Sequence, residues 1–213
     1  MKDRLSEIHE QKESHLPHVG LVLLAAGAST RMGTPKQLLL YQGRSLLRHS
    51  AEVAVASKCR PVAVVLGASA GLLRNEVRHL SVRVVENEQW AEGISSSIRR
   101  GIEALNAGPT ELEAVVIMLC DQPFVSAESI NKLVDTYSLS GQPIVASEYA
   151  GTLGVPALFS RRLFSELASL SGDRGAKDII RNYSQYVACI PFSEGATDID
   201  TLEDFERLCE INV

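Results

Sequence analysis

The chain has 213 residues, 45% of them apolar and 22% charged, with a formal net charge of −5. That length and composition support one substantial hydrophobic core and exclude a disordered or collagen-like chain. The acidic balance gives no broad attraction to phosphate backbones or anionic membranes, so no nucleic acid and no membrane is expected as a partner.

The opening stretch, MKDRLSEIHEQKESHLPH, mixes acids and bases without an apolar run. Residues 1–17 are therefore expected to form an N-terminal arm rather than a secretory signal, followed by a single domain over 18–213. No stretch approaches the ~20 consecutive apolar residues needed to cross a bilayer. From residue 19 onward, apolar runs alternate with amphipathic ones. VGLVLLAA (19–26), PVAVVLG (61–67), VRVVEN (82–87), AVVIMLC (114–120) and PIVASE (143–148) are predicted strands, several of them apolar throughout, as parallel strands covered on both faces must be. Residues 45–58, 68–80, 93–107 and 126–139 are long enough for crossover helices. Gly151, Gly154 and Pro156 suggest a loop, and ALFS (157–160) a strand at a sheet edge. Residues 161–170 and 175–183 are predicted helices, 186–192 a last strand, and Thr201 the cap of a final helix, with Asp204 as its partner. After residue 150 the rhythm loosens, and 150–185 is expected to form a small late lobe of the one domain. The strand–helix rhythm predicts an α/β fold, a three-layer α/β/α sandwich around a mostly parallel sheet.

The first predicted strand runs into LLAAGASTRMGTPKQLL (23–39). The carboxyl end of a buried strand is where open α/β sheets bind ligands. Gly27 and Gly33 bracket the loop, and Ala25, Ala26, Ala28, Ser29 and Thr30 are small enough for backbone N–H groups to approach an anion as a nest. Arg31 and Lys36 add positive charge where a triphosphate needs it. Neither the Walker A spacing nor G-x-G-x-x-G is present. A surface turn with solvated cations is the competing local reading. Asp121 directly follows seven apolar strand residues, which suits either a ligand at the strand end or a turn cap. Asp198 and Asp200 lie two apart and share a face in extended chain. The cysteines Cys59, Cys120, Cys189 and Cys209 show no zinc-type spacing, and a reducing, cytoplasmic setting is expected. Cys120 is expected to point into the core.

AAGASTRMGTPKQLL resembles the signature of the MobA-like nucleotidyltransferases, in the molybdenum cofactor cytidylyltransferase branch. The resemblance continues in order through NEQWAEGISSSI (87–98), CDQP (120–123), GVPALF (154–159), GDRGA (172–176) and DIDTLEDF (198–205). It implies a Rossmann-like nucleotidyltransferase fold and transfer of CMP from CTP to a molybdopterin-type acceptor with release of pyrophosphate. It also implies Mg2+ as cofactor and contact with a molybdoenzyme maturation protein. By the same resemblance, Ala25, Ala26, Gly27, Ala28, Ser29, Arg31, Met32, Gly33 and Lys36 wrap the triphosphate. Lys36, Arg31 and Asp121 are implied catalytic residues, and Asp121 and Asp200 metal ligands, with Asp198 the alternative to Asp200. Asn87, Trp90, Gly93, Ser95, Gly154, Pro156 and Asp173 are implied around the acceptor. Ala26 favours CTP over a purine, because its methyl narrows the space for the base.

GTP as donor, a sugar- or alditol-phosphate acceptor, and a catalytically silent nucleotide-binding protein are the alternatives. A dinucleotide-dependent oxidoreductase would require NAD binding that this loop does not advertise.

Overall fold

The computed structural model describes residues 17–30 and 32–211. The expected arm at 1–17 lies outside the described residues except for Pro17. A seven-stranded sheet is built from β1 (Val19–Ala25), β4 (Val62–Leu66), β5 (Arg83–Glu86), β6 (Ala114–Leu119), β7 (Ile144–Tyr149), β8 (Thr152–Ser160) and β9 (Val187–Pro191). Their order is β5-β4-β1-β6-β8-β7-β9, and every neighbouring pair is parallel except the two that involve β8. All seven residues of β1 are buried, the result of placing an apolar run in the middle of a covered sheet.

The helices α1 (Leu46–Ala56), α2 (Ala70–Val77) and α4 (Ala127–Ser140) cover one face, where Leu21, Leu23, Val64 and Val116 meet Leu47, Leu73 and Leu133. On the other face Val22, Leu24, Val65 and Ile117 meet Ile98 of α3 (Ile94–Asn106). Phe164 and Leu167 of α5 (Phe164–Ser169) and Ile179 and Ile180 of α6 (Ala176–Asn182) join that same core layer. The alternation along β1, odd residues to one layer and even to the other, is the period-two geometry of a strand. This is the three-layer α/β/α sandwich expected from the sequence.

One expectation fails. Residues 151–156 are not a loop, and ALFS is not an edge. Both belong to β8, which runs antiparallel between β6 and β7 in the sheet interior. Ala150 and Gly151 have φ of 49° and 70°, so a two-residue turn folds β8 straight back on β7. Pro156 survives inside the sheet because the register jumps from Ala146–Ala157 to Ser147–Gly154, leaving Val155 and Pro156 outside the ladder. A small hairpin, β2 (Leu40–Tyr41) and β3 (Arg44–Ser45), was not anticipated. Its turn is Gln42-Gly43, both at positive φ. The last helix, α7 (Leu202–Ile211), starts as expected. The Asp204 amide donates to Thr201 Oγ1 at 3.2 Å, and the Thr201 amide to Asp204 Oδ2 at 2.9 Å.

Candidate active site

At the carboxyl ends of β1 and β6, the loop after Ala25 and the residue after the β6 strand segment face each other across a cleft of about 380 Å3. Ala25 to Ala28, Lys36, Trp90, Gly93, Asp121 and Asp173 all line it. Among the described residues, the backbone N–H groups of Gly27, Ala28, Ser29 and Thr30 donate no hydrogen bond. Four consecutive small-residue amides are thus left for an anion. Arg31 lies outside the described residues.

The loop is held from behind by Gln37, which the sequence reading passed over. Its side chain is fully enclosed, and Nε2 donates to the carbonyls of Ala25 and Gly27 at 3.2 and 2.8 Å. Ser29 Oγ donates to Gln37 Oε1 at 3.3 Å and accepts from the Lys36 amide at 3.0 Å. Tying down carbonyls while sparing amides gives the loop a donor face. The Met32 side chain is buried with Tyr41, Leu46, Ile199 and Leu208, so it anchors the loop and does not line the cleft. Ser29 and Gly33 also stand outside the lining, at φ of 52° and 68°, where they turn the chain.

Lys36 Nζ donates to Asp121 Oδ2 at 2.6 Å, to Asp200 Oδ1 at 2.9 Å and to the Ile199 carbonyl at 2.9 Å. The Ile199 amide in turn donates to the Asp121 carbonyl at 3.1 Å, which docks the 198–200 segment on the end of β6. Two acids 79 residues apart therefore share one ammonium group. Burial opposes the charge on Lys36, but Asp121 and then Asp200 outweigh it, and the pKa is raised above the usual 10.5. Asp121 Oδ1 is buried and has no hydrogen-bond partner. Asp198 Oδ1 is likewise buried and unpartnered; burial first, then the charge of Asp121, raise its pKa. Cys120 is buried in the core layer, and burial followed by the Asp121 charge pushes its thiol far above the ordinary range. It is no nucleophile.

The residues expected around an acceptor divide. Trp90, Gly93 and Asp173 are in the cleft. Asn87 is enclosed and consumed internally: its Nδ2 donates to Ser96 and Ser97 Oγ at 2.8 and 3.0 Å, and its Oδ1 accepts from the Gln89 amide. It sets the entry into α3. Ser95 is enclosed, with its Oγ unpartnered. Gly154 and Pro156 stand behind Val155; the Pro156 carbonyl accepts from Ser147 Oγ at 2.7 Å. A Cβ on Gly154 would fall 2.1 Å from Tyr149 Oη. Gly93 has φ of 104°, and a Cβ there would fall 2.4 Å from the Gly172 carbonyl oxygen, so this glycine lets the GDRGA loop rest on the start of α3. Gly93→Ala should lower stability by about 2–3 kcal/mol in a urea titration, since strain and clash coincide. An unchanged midpoint would mean the two loops do not approach this closely.

Glycine-loop amides and a lysine–diacid cluster at the carboxyl edge of a mostly parallel α/β sheet define a protein of the Rossmann-like nucleotidyltransferase class. The chain belongs to the MobA-like NTP transferase domain family, whose model matches residues 21–187. It is similar to the nicotine blue oxidoreductase of Paenarthrobacter nicotinovorans, 33% identical over 92% of this chain and 98% of that one. It is also similar to the molybdenum cofactor cytidylyltransferase of Escherichia coli K12, 23% identical over 91% of this chain and 98% of the other. Among solved structures, the manganese complex of Rv0371C from Mycobacterium tuberculosis H37Rv superposes with a TM-score of 0.76 at 30% identity, covering 91% of this chain and 98% of that one. Among the described residues, no helix is long and apolar enough to cross a membrane, and no group of three or more metal-ligating side chains occurs.

Proposed function

We propose that the chain transfers a nucleoside monophosphate from a nucleoside triphosphate to a small phosphorylated acceptor, releasing pyrophosphate. The observation that carries this reading is the single Lys36 ammonium held by Asp121 and Asp200 beside four undonated loop amides. Two anions must meet for an acceptor phosphate to attack the α-phosphorus, and charge then builds on the leaving pyrophosphate. Loop amides supply donors organised before the substrates arrive, and Lys36, held by Asp121 and Asp200 in the free protein, is placed to turn its ammonium to the phosphates.

A divalent cation fits the residues present. Asp121 Oδ1 is an orphaned buried carboxylate oxygen, Asp200 is half exposed, and Mg2+ normally takes one or two carboxylates and leaves its other positions to water and phosphate. Asp121 and Asp200 would hold it, and when bound it would supply charge neutralisation at the reacting phosphates. The manganese found with the Mycobacterium tuberculosis relative supports a divalent ion of this kind.

CTP is the proposed donor, on the methyl of Ala26 at the cleft wall and the cytidylyltransferase name of the Escherichia coli relative. Molybdopterin is the acceptor read from that name, and a sugar or alditol phosphate is the competing one. The test is pyrophosphate release from CTP, GTP, UTP and ATP, with Mg2+ or Mn2+, against molybdopterin, an alditol phosphate and a sugar 1-phosphate. Release from CTP with molybdopterin supports the full reading. Release only with the alditol or sugar phosphate replaces the acceptor, and no release with any pair ends it. An oxidoreductase reaction is the second reading, on the name of the 33% identical relative; reduction of an added dye by NADH or NADPH would reveal it.

The two nearby acids make a further prediction. Asp200→Asn should cost at least about tenfold in turnover, while Asp198→Asn should stay within about threefold and raise the melting temperature by removing a charge that burial first and Asp121 second disfavour. The opposite ranking would make Asp198 the ligand.

A further inference from the structure

The loop between the first strand and Lys36 is restrained by one side chain. Gln37 is 1% exposed, and its amide is engaged on every side. Nε2 donates to the Ala25 carbonyl at 3.2 Å and to the Gly27 carbonyl at 2.8 Å, which uses both of its hydrogens. Oε1 accepts from Ser29 Oγ at 3.3 Å, and Ser29 Oγ accepts in turn from the Lys36 amide at 3.0 Å. The network therefore has a single sense, from Lys36 through Ser29 and Gln37 to two loop carbonyls. Gln37 borders the cleft but turns no free N–H into it.

Pinning a carbonyl also aims the N–H at the other end of its peptide. In a trans peptide the two point in opposite directions, so holding the Gly27 oxygen turns the Ala28 N–H away from Gln37. That N–H finds no acceptor among the described residues, and Ala28 lines the cleft. Gly27 cannot hold this arrangement unaided. It has no Cβ, and one built on it would meet nothing within 4 Å, so neither stereochemistry nor packing stops the peptide from turning over. A peptide so turned would present a carbonyl where an anion needs a donor.

We infer that Gln37 is a positioning residue for the phosphates of the donor, acting through the loop backbone rather than by touching them. It keeps the glycine loop in the one peptide orientation that offers amides to a pyrophosphate group. This role rests on the transfer reading above, which places the triphosphate at the loop. Through Ser29 the same network holds the backbone of Lys36, whose ammonium lies between Asp121 and Asp200. Only a primary amide of this length supplies two donors and an acceptor together. An ionised glutamate has no donor, and a lysine has no acceptor. Donors held in place beforehand bind an anion without a further ordering cost.

Calorimetric titration of the free protein with pyrophosphate, CTP and cytidine, all in Mg2+, tests this without any transfer reaction. Gln37→Met keeps the length of the side chain and removes the amide. It should weaken pyrophosphate and CTP by at least about tenfold and leave cytidine, which carries no phosphate, within about twofold. A merely structural role would lower the melting temperature without separating the phosphate ligands from the nucleoside. Ser29→Ala is the milder variant. It leaves the two Nε2 bonds, frees Oε1, and should weaken pyrophosphate by about fivefold. Added to Gln37→Met it should cost no more than about twofold further, since residues that act through one another do not add. Unchanged pyrophosphate affinity in Gln37→Met, or an equal loss of cytidine, overturns the positioning role. Should Gln37→Met fail to fold, unchanged pyrophosphate affinity in Ser29→Ala overturns it instead. A fully additive loss in the double variant overturns the path through Ser29. Failure of the parent itself to bind pyrophosphate and CTP would sink the transfer reading, and that result is in hand before any variant is compared.

Discussion

Asp121→Asn is expected to cut nucleotidyl-transfer turnover by about a thousandfold, equivalent to about 4 kcal/mol of transition-state stabilisation. Asparagine has the shape of aspartate and keeps one oxygen that can accept from Lys36, so the 2.6 Å contact survives in a weaker, neutral form. What disappears is the negative charge, on Oδ2 that fixes the lysine and on Oδ1 that stands buried without a partner. Oδ1 is the more informative atom. A buried carboxylate oxygen with no donor costs folding free energy, and such a cost is retained where a ligand later relieves it. The variant should thus fold normally, with stability within about 1 kcal/mol of the parent, and bind Mn2+ at least about tenfold more weakly in the presence of nucleotide. Steady-state pyrophosphate release, denaturant titration and Mn2+ resonance measure the three quantities. Turnover within tenfold of the parent would show that the Asp121 charge is not used in the reaction.

The sequence exposes the elements of this fold whose physics is local. The solidly apolar strands, the crossover helices between them and the Thr201 cap follow from composition and period along short windows, and all are present. Strand β8 escaped because its two strongest local signals, Gly154 and Pro156, are the usual marks of a loop. Their meaning depends on a neighbour: the register jump opposite Ser147 and the Tyr149 hydroxyl filling the space above Gly154. The Gln42-Gly43 turn was local and legible, but two-residue strands carry no period to notice.

The same distinction runs through the site. Lys36, Asp121 and Asp200 are visible as charges at strand ends and in motif segments. Gln37 is hidden, because a glutamine beside a lysine gives no hint that its amide will be enclosed and bonded to two loop carbonyls. Asn87 misleads in the opposite sense, since a polar residue at a strand end suggests a ligand contact, yet its hydrogen bonds go to the Gln89 amide, Ser96 and Ser97. Lys177 is legible only as part of a helix, and its ammonium stands over the ring of Tyr149, 28 residues away in sequence.

Lys36→Met is the second large effect expected, and it separates two roles of one side chain. Turnover should fall by about a hundredfold or more, as when a fixed donor to developing phosphate charge is removed. In the free protein, however, the ammonium occupies the space between Asp121 and Asp200, bonded to both carboxylates and to the Ile199 carbonyl. A divalent ion arriving without nucleotide must compete with that charge. The competition does not relax at accessible pH: the pKa of Lys36 is raised in the folded state, so its charge and the stability it contributes are complete at neutrality and are lost only as pH rises through the folded value, above 10.5. Methionine is of similar length and cannot compete. Its removal of the cation leaves two acids facing each other, so the metal-free variant should lose about 1–3 kcal/mol of stability, much of it restored by millimolar Mn2+. Without nucleotide, Mn2+ should bind Lys36→Met about tenfold more tightly than the parent, although the variant turns over far less. Tighter metal binding together with lost activity is a combination that simple damage to the site cannot produce. Equal Mn2+ affinity in the two proteins would show that the ammonium does not occupy the metal position, and weaker affinity would show that Lys36 builds that position rather than filling it.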